Sequence, residues 1–165
     1  MRSAVFLDRD GTLIKDYGYM KSPSQVELLP NTIECLHSLK NFGLLFVMAT
    51  NQSGIGRGYL SVDDFNAVQY KLFELLAAHD IFFDGVYYCP HMPSDMCKCR
   101  KPRTGMALSA HRDLGINFSE SYMVGDKDDD IRFGYNFGAK ASFNTLKDLC
   151  MYLKMQERGF AVGST

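Results

Sequence analysis

Two carboxylates stand two residues apart in Asp8-Arg9-Asp10-Gly11-Thr12, directly after the apolar run Ala4-Val5-Phe6-Leu7. Like charges at that separation repel, and each raises the other's pKa. A divalent cation relieves the conflict. Magnesium is the natural candidate, because it takes oxygen ligands from one or two carboxylates and keeps room for a substrate phosphate. Asp126, at the end of another apolar run, offers a further carboxylate. Gly11 lets the backbone turn sharply or approach a ligand closely. An Asp-x-Asp pair alone serves equally well in a turn or a helix cap. Gly11-Thr12 behind it, and Gly125-Asp126 at a second strand end, favour a site. Asp128, Asp129 and Asp130 follow. Spacing does not choose which of them supports a metal, since acids also suit a helix N-terminus.

A second cluster is Cys89-Pro90-His91 with Cys97-Lys98-Cys99. Three thiolates and one imidazole are a structural zinc set, and four protein ligands leave no open position for catalysis. The segment 89–102 is thus expected to be a small loop closed around one zinc, the alternative being unliganded thiols. A redox pair needs Cys-x-x-Cys, whereas this is Cys-x-Cys. A nucleic-acid zinc finger needs a longer spacer and a helix bearing the second ligand pair. Arg100-Lys101-Pro102 follow directly, so zinc would stiffen the segment that presents these cations. Cys35 and Cys150 stand alone at helical spacing and read as small buried hydrophobes.

These residues need strands and helices to bring them together. Residues 4–7, 44–49, 86–88, 122–124 and 141–143 read as short buried strands. Helices are expected from Thr32 to about Gly43, from the cap Ser61 through Leu76, over 105–114, over 129–137 and from Leu146 through Leu153, with the tail after Gly159 fraying. Residues 11–30 and 53–58 read as loops. Strand and helix alternate without repeat or linker, which is the α/β pattern: a mostly parallel sheet with helices on both faces. In such sheets ligands gather at the carboxyl ends of the strands. The loops Asp8–Thr12, Thr50–Gly58, Cys89–Pro102 and Gly125–Asp130 leave those ends, and all the unusual chemistry lies in them.

The 165 residues make one domain's worth of sequence, 46% hydrophobic, enough to bury a substantial core. Eighteen Lys and Arg against nineteen Asp and Glu give a net charge of −1, no basic footprint for nucleic acid. No apolar run reaches the roughly 18–20 residues of a membrane span, and no secretory signal is visible. Gly54-x-Gly56-x-Gly58 departs from the dinucleotide fingerprint in spacing and follows the second strand rather than the first; a P-loop is absent as well.

Phe6-Leu7-Asp8-Arg9-Asp10-Gly11-Thr12 closely resembles the first motif of the haloacid dehalogenase (HAD) superfamily of phosphatases. Thr50, Lys101 and Gly125-Asp126 match the second, third and fourth motifs, in family order over residues 4–143. The resemblance implies a three-layer Rossmann-like sheet without a large cap domain. It makes Asp8 the nucleophile and Asp10 the acid and base. Thr50 and Lys101 would hold the phosphoryl oxygens. Magnesium would sit on Asp8, Asp126 and the Asp10 backbone carbonyl. The zinc loop is similar to that of small capless members acting on heptose bisphosphate or histidinol phosphate. Asp16-Tyr17-Gly18-Tyr19, Thr50 through Gly58, and Gly105-Met106 look more like the heptose-acting members. In those, loop residues corresponding to Asp16, Tyr17, Gly18, Tyr19, Asn51, Gln52, Ser53, Arg100 and Lys127 contact substrate. Arg100 offers a fork for a second phosphate, while Arg57 reads as solvated. The expectation carried forward is a monomeric, cytoplasmic, magnesium-dependent phosphatase. It would remove the 7-phosphate of a heptose bisphosphate on the way to a surface glycan, with no nucleic-acid or membrane partner. Histidinol phosphate is the alternative substrate, and a non-catalytic zinc-stabilised binding module the remote one.

Overall fold

The computed structural model describes the backbone of residues 1–162 and the side chains of residues 1–159. In chain order the elements are β1 (Ala4–Leu7), α1 (Thr32–Lys40), β2 (Leu45–Asn51), a single turn α2 (Ser53–Gly56), α3 (Val62–Ala77) and β3 (Gly85–Cys89). They continue as α4 (Gly105–Leu114), β4 (Tyr122–Val124), α5 (Asp128–Phe137), β5 (Ala141–Phe143) and α6 (Leu146–Val162). The five strands form one sheet in the order β3-β2-β1-β4-β5, parallel throughout. The chain runs outward from β1 through β2 and β3, then crosses to the other side at β4. The crevice between β1 and β4 is thus the switch point where ligands bind in this architecture.

Side-chain alternation along the strands builds three layers. Val5, Leu7, Phe46, Met48, Tyr122 and Val124 face one core, closed by α1, α3 and α6. Ala4, Phe6, Leu45, Val47, Ala49 and Met123 face the other, closed by α4 and α5. In that second core Phe6 lies 4.7 Å from Phe137 and 6.2 Å from Phe133, centroid to centroid. Helix α3 starts as its sequence predicts. Ser61 accepts from the Asp64 N–H at 3.0 Å, and Asp64 accepts from the Ser61 N–H at 2.8 Å, a reciprocal cap. Cys35 and Cys150 are both buried between α1 and α6, with the Cys150 thiol 3.5 Å from the Cys35 carbonyl.

Some boundaries differ from expectation. β2 runs on to Asn51, because β3 pairs with it as far as Cys89; Thr50 and Asn51 are thereby strand residues. The segment 53–58 opens with the helical turn α2, and the segment 11–30 contains a short 3-10 turn at Pro23–Gln25. Helix α6 continues past Gly159 to Val162 instead of fraying there, and residues 163–165 of that tail lie outside the described residues. Among the described residues no helix is long and apolar enough to cross a membrane.

Candidate active site

Strand register sets the site. Leu7 pairs with Met48 on one side and Val124 on the other. The next residues, Asp8 and Gly125, therefore emerge side by side, with the Asp8 N–H on the Val124 carbonyl at 3.0 Å. Oxygens of Asp8, Asp126 and Asp130 lie within 4.8 Å of one another. Lys101, only 2% exposed, enters this cluster from the zinc loop. Its ammonium donates to Asp8 Oδ1 at 2.9 Å and the Ala49 carbonyl at 2.7 Å, and is 2.6 Å from Asp130 Oδ1. Burial, the strongest influence, pushes the Asp8 carboxyl above its usual range; Lys101 pulls it down, while Asp130 and Asp10 push it further up. Burial alone would lower Lys101, but the charges of Asp8 and Asp130 outweigh it and hold the ammonium above its ordinary value. Asp126 is also raised, by burial first and by the Asp8 charge second. Lys101 thus stands among three carboxylates, with the Lys127 charge also acting on Asp126, and hard oxygen donors of this kind suit magnesium. Gly11, at φ +83°, makes room for this: a Cβ there would run into the Asp126 carboxylate.

The three consecutive acids divide by helix phase. Asp128 is exposed and Asp129 half-buried in the first turn of α5, while Asp130 is buried. Asp130 reaches back to accept from the Lys127 N–H at 3.1 Å as it holds Lys101. Of the three acids it is the one that lies with Asp8 and Asp126 in a group that could hold a metal.

Asp10 is held separately. Its carboxylate accepts from Arg9 Nε at 2.9 Å, Arg9 Nη2 at 3.1 Å and Gln52 Nε2 at 2.9 Å. Gln52 also donates to Thr50 Oγ1 at 2.9 Å. Arg9 is fully buried, with its guanidinium 5.3 Å from the centroid of the Phe65 ring. Composition and spacing do not single out Arg9; the one signal the sequence offers is a cation placed between two acids.

Asp8, Asp10, Thr50 and Lys101 line a cavity of about 380 Å³. Asp16, Gly18, Tyr19 and Met20 close one side, Asn51 to Gly54 another, and Arg100 and Lys127 the rim. Lys127 stands 3.4 Å from the Asp16 carboxylate across the opening. Three of the expected substrate residues also have partners within the protein. Tyr17 is not among the cavity-lining residues; its hydroxyl donates to Glu27 at 2.7 Å. The Asn51 amide grips the Lys101 backbone, accepting from its N–H at 3.0 Å and donating to its carbonyl at 3.2 Å. The Gln52 amide is committed to Arg9, Asp10 and Thr50. Arg57 is exposed, as expected.

The cysteine loop converges as the spacing predicts. Cys89 Sγ is 3.5 Å from His91 Nδ1, 3.1 Å from Cys99 Sγ and 3.6 Å from Cys97 Sγ, and His91 Nδ1 is 3.2 Å from Cys99 Sγ. Zinc–sulfur bonds of about 2.3 Å place tetrahedral thiolates roughly 3.8 Å apart, so the four donors already stand near metal-binding separations. Burial acts to raise the Cys97 thiol, but the Arg100 N–H and the neighbouring thiols outweigh it and bring it down to about 7. That favours the thiolate at Cys97, whereas burial first of all pushes the Cys89 and Cys99 thiols up. The same Arg100 N–H reaches Cys97 Sγ at 3.4 Å, and the Arg100 guanidinium reaches the His91 carbonyl at 3.5 Å. The cation pair is thereby tied to the loop.

Comparison with known proteins agrees with this geometry. The HAD-hydrolase-like family model matches residues 98–143. D-glycero-beta-D-manno-heptose-1,7-bisphosphate 7-phosphatase of Haemophilus influenzae is 43% identical over 152 residues, 88% of this chain and 82% of that protein. The enzyme of the same name from Escherichia coli K12 is 40% identical over 155 residues, 88% of this chain and 81% of its own. The crystal structure of D,D-heptose 1,7-bisphosphate phosphatase from B. bronchiseptica, complexed with magnesium and phosphate, superposes with a TM-score of 0.80 at 27% identity. It covers 93% of this chain and 99% of that one. With a parallel sheet that brings Asp8, Thr50, Lys101 and Asp126 to one end, and identity of 40% or more along most of two curated relatives, the chain belongs to the D-glycero-β-D-manno-heptose-1,7-bisphosphate 7-phosphatase family of HAD phosphatases.

Proposed function

We propose that this chain hydrolyses the 7-phosphate of D-glycero-β-D-manno-heptose 1,7-bisphosphate. We read it as one functional domain over residues 1–165, acting as a monomer, with the zinc loop at 89–102 as an integral part. The observation that carries the reading is the Asp8 carboxylate, buried at a strand end between Lys101 and Asp126 and open to the cavity.

Asp8 attacks phosphorus as the P–O bond to the sugar breaks, giving an aspartyl-phosphate; a carboxylate nucleophile divides one hard step into two easier ones. Asp10 gives its proton to the leaving alkoxide oxygen. It then takes a proton from the water that attacks phosphorus and frees Asp8. Thr50 and Lys101 hold the phosphoryl oxygens, supplying fixed charge and hydrogen bonds where charge develops. Asp8 and Asp126, with the Asp10 carbonyl, would hold magnesium, which when bound neutralises charge on the transferring phosphoryl group. Cys89, His91, Cys97 and Cys99 would hold zinc, which when bound stiffens the segment bearing Arg100 and Lys101. The rim cations Arg100 and Lys127 suit a second, remote phosphate.

The test is phosphate release from the heptose bisphosphate with magnesium, run beside histidinol phosphate. Heptose 1-phosphate should be the product and the bisphosphate the better substrate. Asp8→Asn should fold and release no phosphate. Turnover retained in that variant, or a preference for histidinol phosphate, would overturn the reading.

A further inference from the structure

Resting on the acid–base role proposed for Asp10, we infer that Arg9 is its positioning residue: a buried guanidinium fork that fixes the Asp10 carboxyl for proton transfer to the leaving oxygen. Arg9 touches no substrate. It is 0% exposed, and it is not among the residues that line the cavity. Its Nε and Nη2 take both oxygens of Asp10. Nη2 also meets Gln52 Oε1 at 3.3 Å, and Gln52 Nε2 returns to Asp10 Oδ2. Arg9, Asp10 and Gln52 form a closed ring of hydrogen bonds, with the Phe65 ring beneath the guanidinium. Asp10 Oδ2 accepts two of these bonds, while among the described residues Oδ1 accepts from Arg9 Nε alone. The oxygen with spare capacity is therefore Oδ1, on a carboxyl that lines the cavity.

Stability does not account for Arg9. A buried charge costs free energy that an apolar side chain of similar volume avoids. Here one buried donor, Nη1, has no hydrogen-bond partner among the described residues, which adds to that cost. What the fork supplies that Met or Leu cannot is planar two-point control of a carboxylate. The two acids thus have separate cations: Lys101 fixes the nucleophile and Arg9 fixes the acid. Proton donation works only when the donor is held within hydrogen-bond reach of the oxygen it serves.

The experiment compares kcat/KM for the heptose bisphosphate, whose alkoxide needs a proton to leave, with 4-nitrophenyl phosphate, whose nitrophenolate leaves without one. Because kcat/KM reports the steps up to release of the first product, the later hydrolysis of the aspartyl-phosphate drops out. Arg9→Met should lower the sugar ester's value by about 100-fold, within the ~10²–10⁴ that general acid–base catalysis supplies, and the aryl ester's by less than tenfold. Arg9→Lys should recover part of the sugar-ester activity. The ratio of the two substrates within one variant is independent of how much of that protein is folded, so partial misfolding leaves the test intact. Equal losses on both esters, or no loss on either, would overturn the inference. Asp10→Asn is run alongside. If it shows the selective loss and Arg9→Met does not, Arg9 alone falls; if Asp10→Asn is unselective, the acid–base reading falls and Arg9 with it.

Discussion

Replacing Lys101 by Met removes the ammonium that stands between two buried carboxylates. Asp8 and Asp130 are almost wholly buried, and Lys101 donates to or pairs with both while also satisfying the Ala49 carbonyl. Breaking a buried ion pair from one side costs about 3–5 kcal/mol, because the charge left behind has neither water nor a partner. Two such charges remain here, and they repel each other. For 165 residues at about 2.1 cal/mol/K each, the unfolding entropy is roughly 0.35 kcal/mol/K. The penalty therefore lowers the Tm by about 10 °C. Urea unfolding followed by circular dichroism measures it directly. The double variant Lys101→Met/Asp130→Asn separates charge from packing. Neutralising Asp130 removes the repulsion, so the double variant should be less destabilised than the sum of the singles by about 1 kcal/mol or more. A loss below 1 kcal/mol for Lys101→Met, or simple additivity, would refute the view that this lysine is a buried electrostatic keystone.

Zinc and backbone geometry give two further tests. Protein purified without chelator should carry one zinc per chain by elemental analysis. Cys99→Ser should lose that metal and unfold at lower temperature, since a structural zinc contributes directly to folding; a zinc-free preparation of unchanged stability would count against the assignment. Gly11→Ala should cost about 1–2 kcal/mol through its left-handed φ of +83°. It should also raise the magnesium concentration for half-maximal activity at least tenfold, because the new methyl displaces the Asp126 carboxylate; normal magnesium dependence would show that Asp126 is not a ligand.

The sequence made the frame legible because the chemistry sits at strand ends. An apolar run that stops on Asp8 and another that stops on Gly125-Asp126 must place those carboxylates at the same edge of a parallel sheet, and the register does so. The zinc cluster was equally readable, being confined to a short loop. What was not readable depends on helix phase or on partners distant in sequence. Of Asp128, Asp129 and Asp130, only the third faces inward, and that follows from α5 beginning at Asp128. Asn51 and Gln52 fit a substrate loop equally well, but Asn51 ends β2 with its amide on Lys101, fifty residues on, and Gln52, just before α2, meets Arg9, forty-three residues back. Tyr17 is drawn off the cavity by Glu27. Arg9 is the extreme case: nothing in its spacing says whether a charge between two acids is buried, and only three-dimensional packing reveals a fork.

The position of the zinc follows from the demand made on Lys101. A lysine has a long flexible stem, and burying its head against two acids requires that its backbone be fixed. On one side the Asn51 amide holds both the N–H and the carbonyl of Lys101. On the other, the chain reaches Lys101 through Cys99 and Arg100, and the Arg100 N–H is tied to Cys97 Sγ. Lys98 adds a further brace, its carbonyl accepting from the N–H of Gly105 at the head of α4. Without metal, three thiols and an imidazole converging at 3.1–3.6 Å hold the loop only by weak sulfur hydrogen bonds. A four-ligand metal with no open coordination position does no chemistry of its own. Held in part by Cys99, two residues from Lys101, it would supply what the phosphoryl site needs from that side, which is a cation whose place does not move.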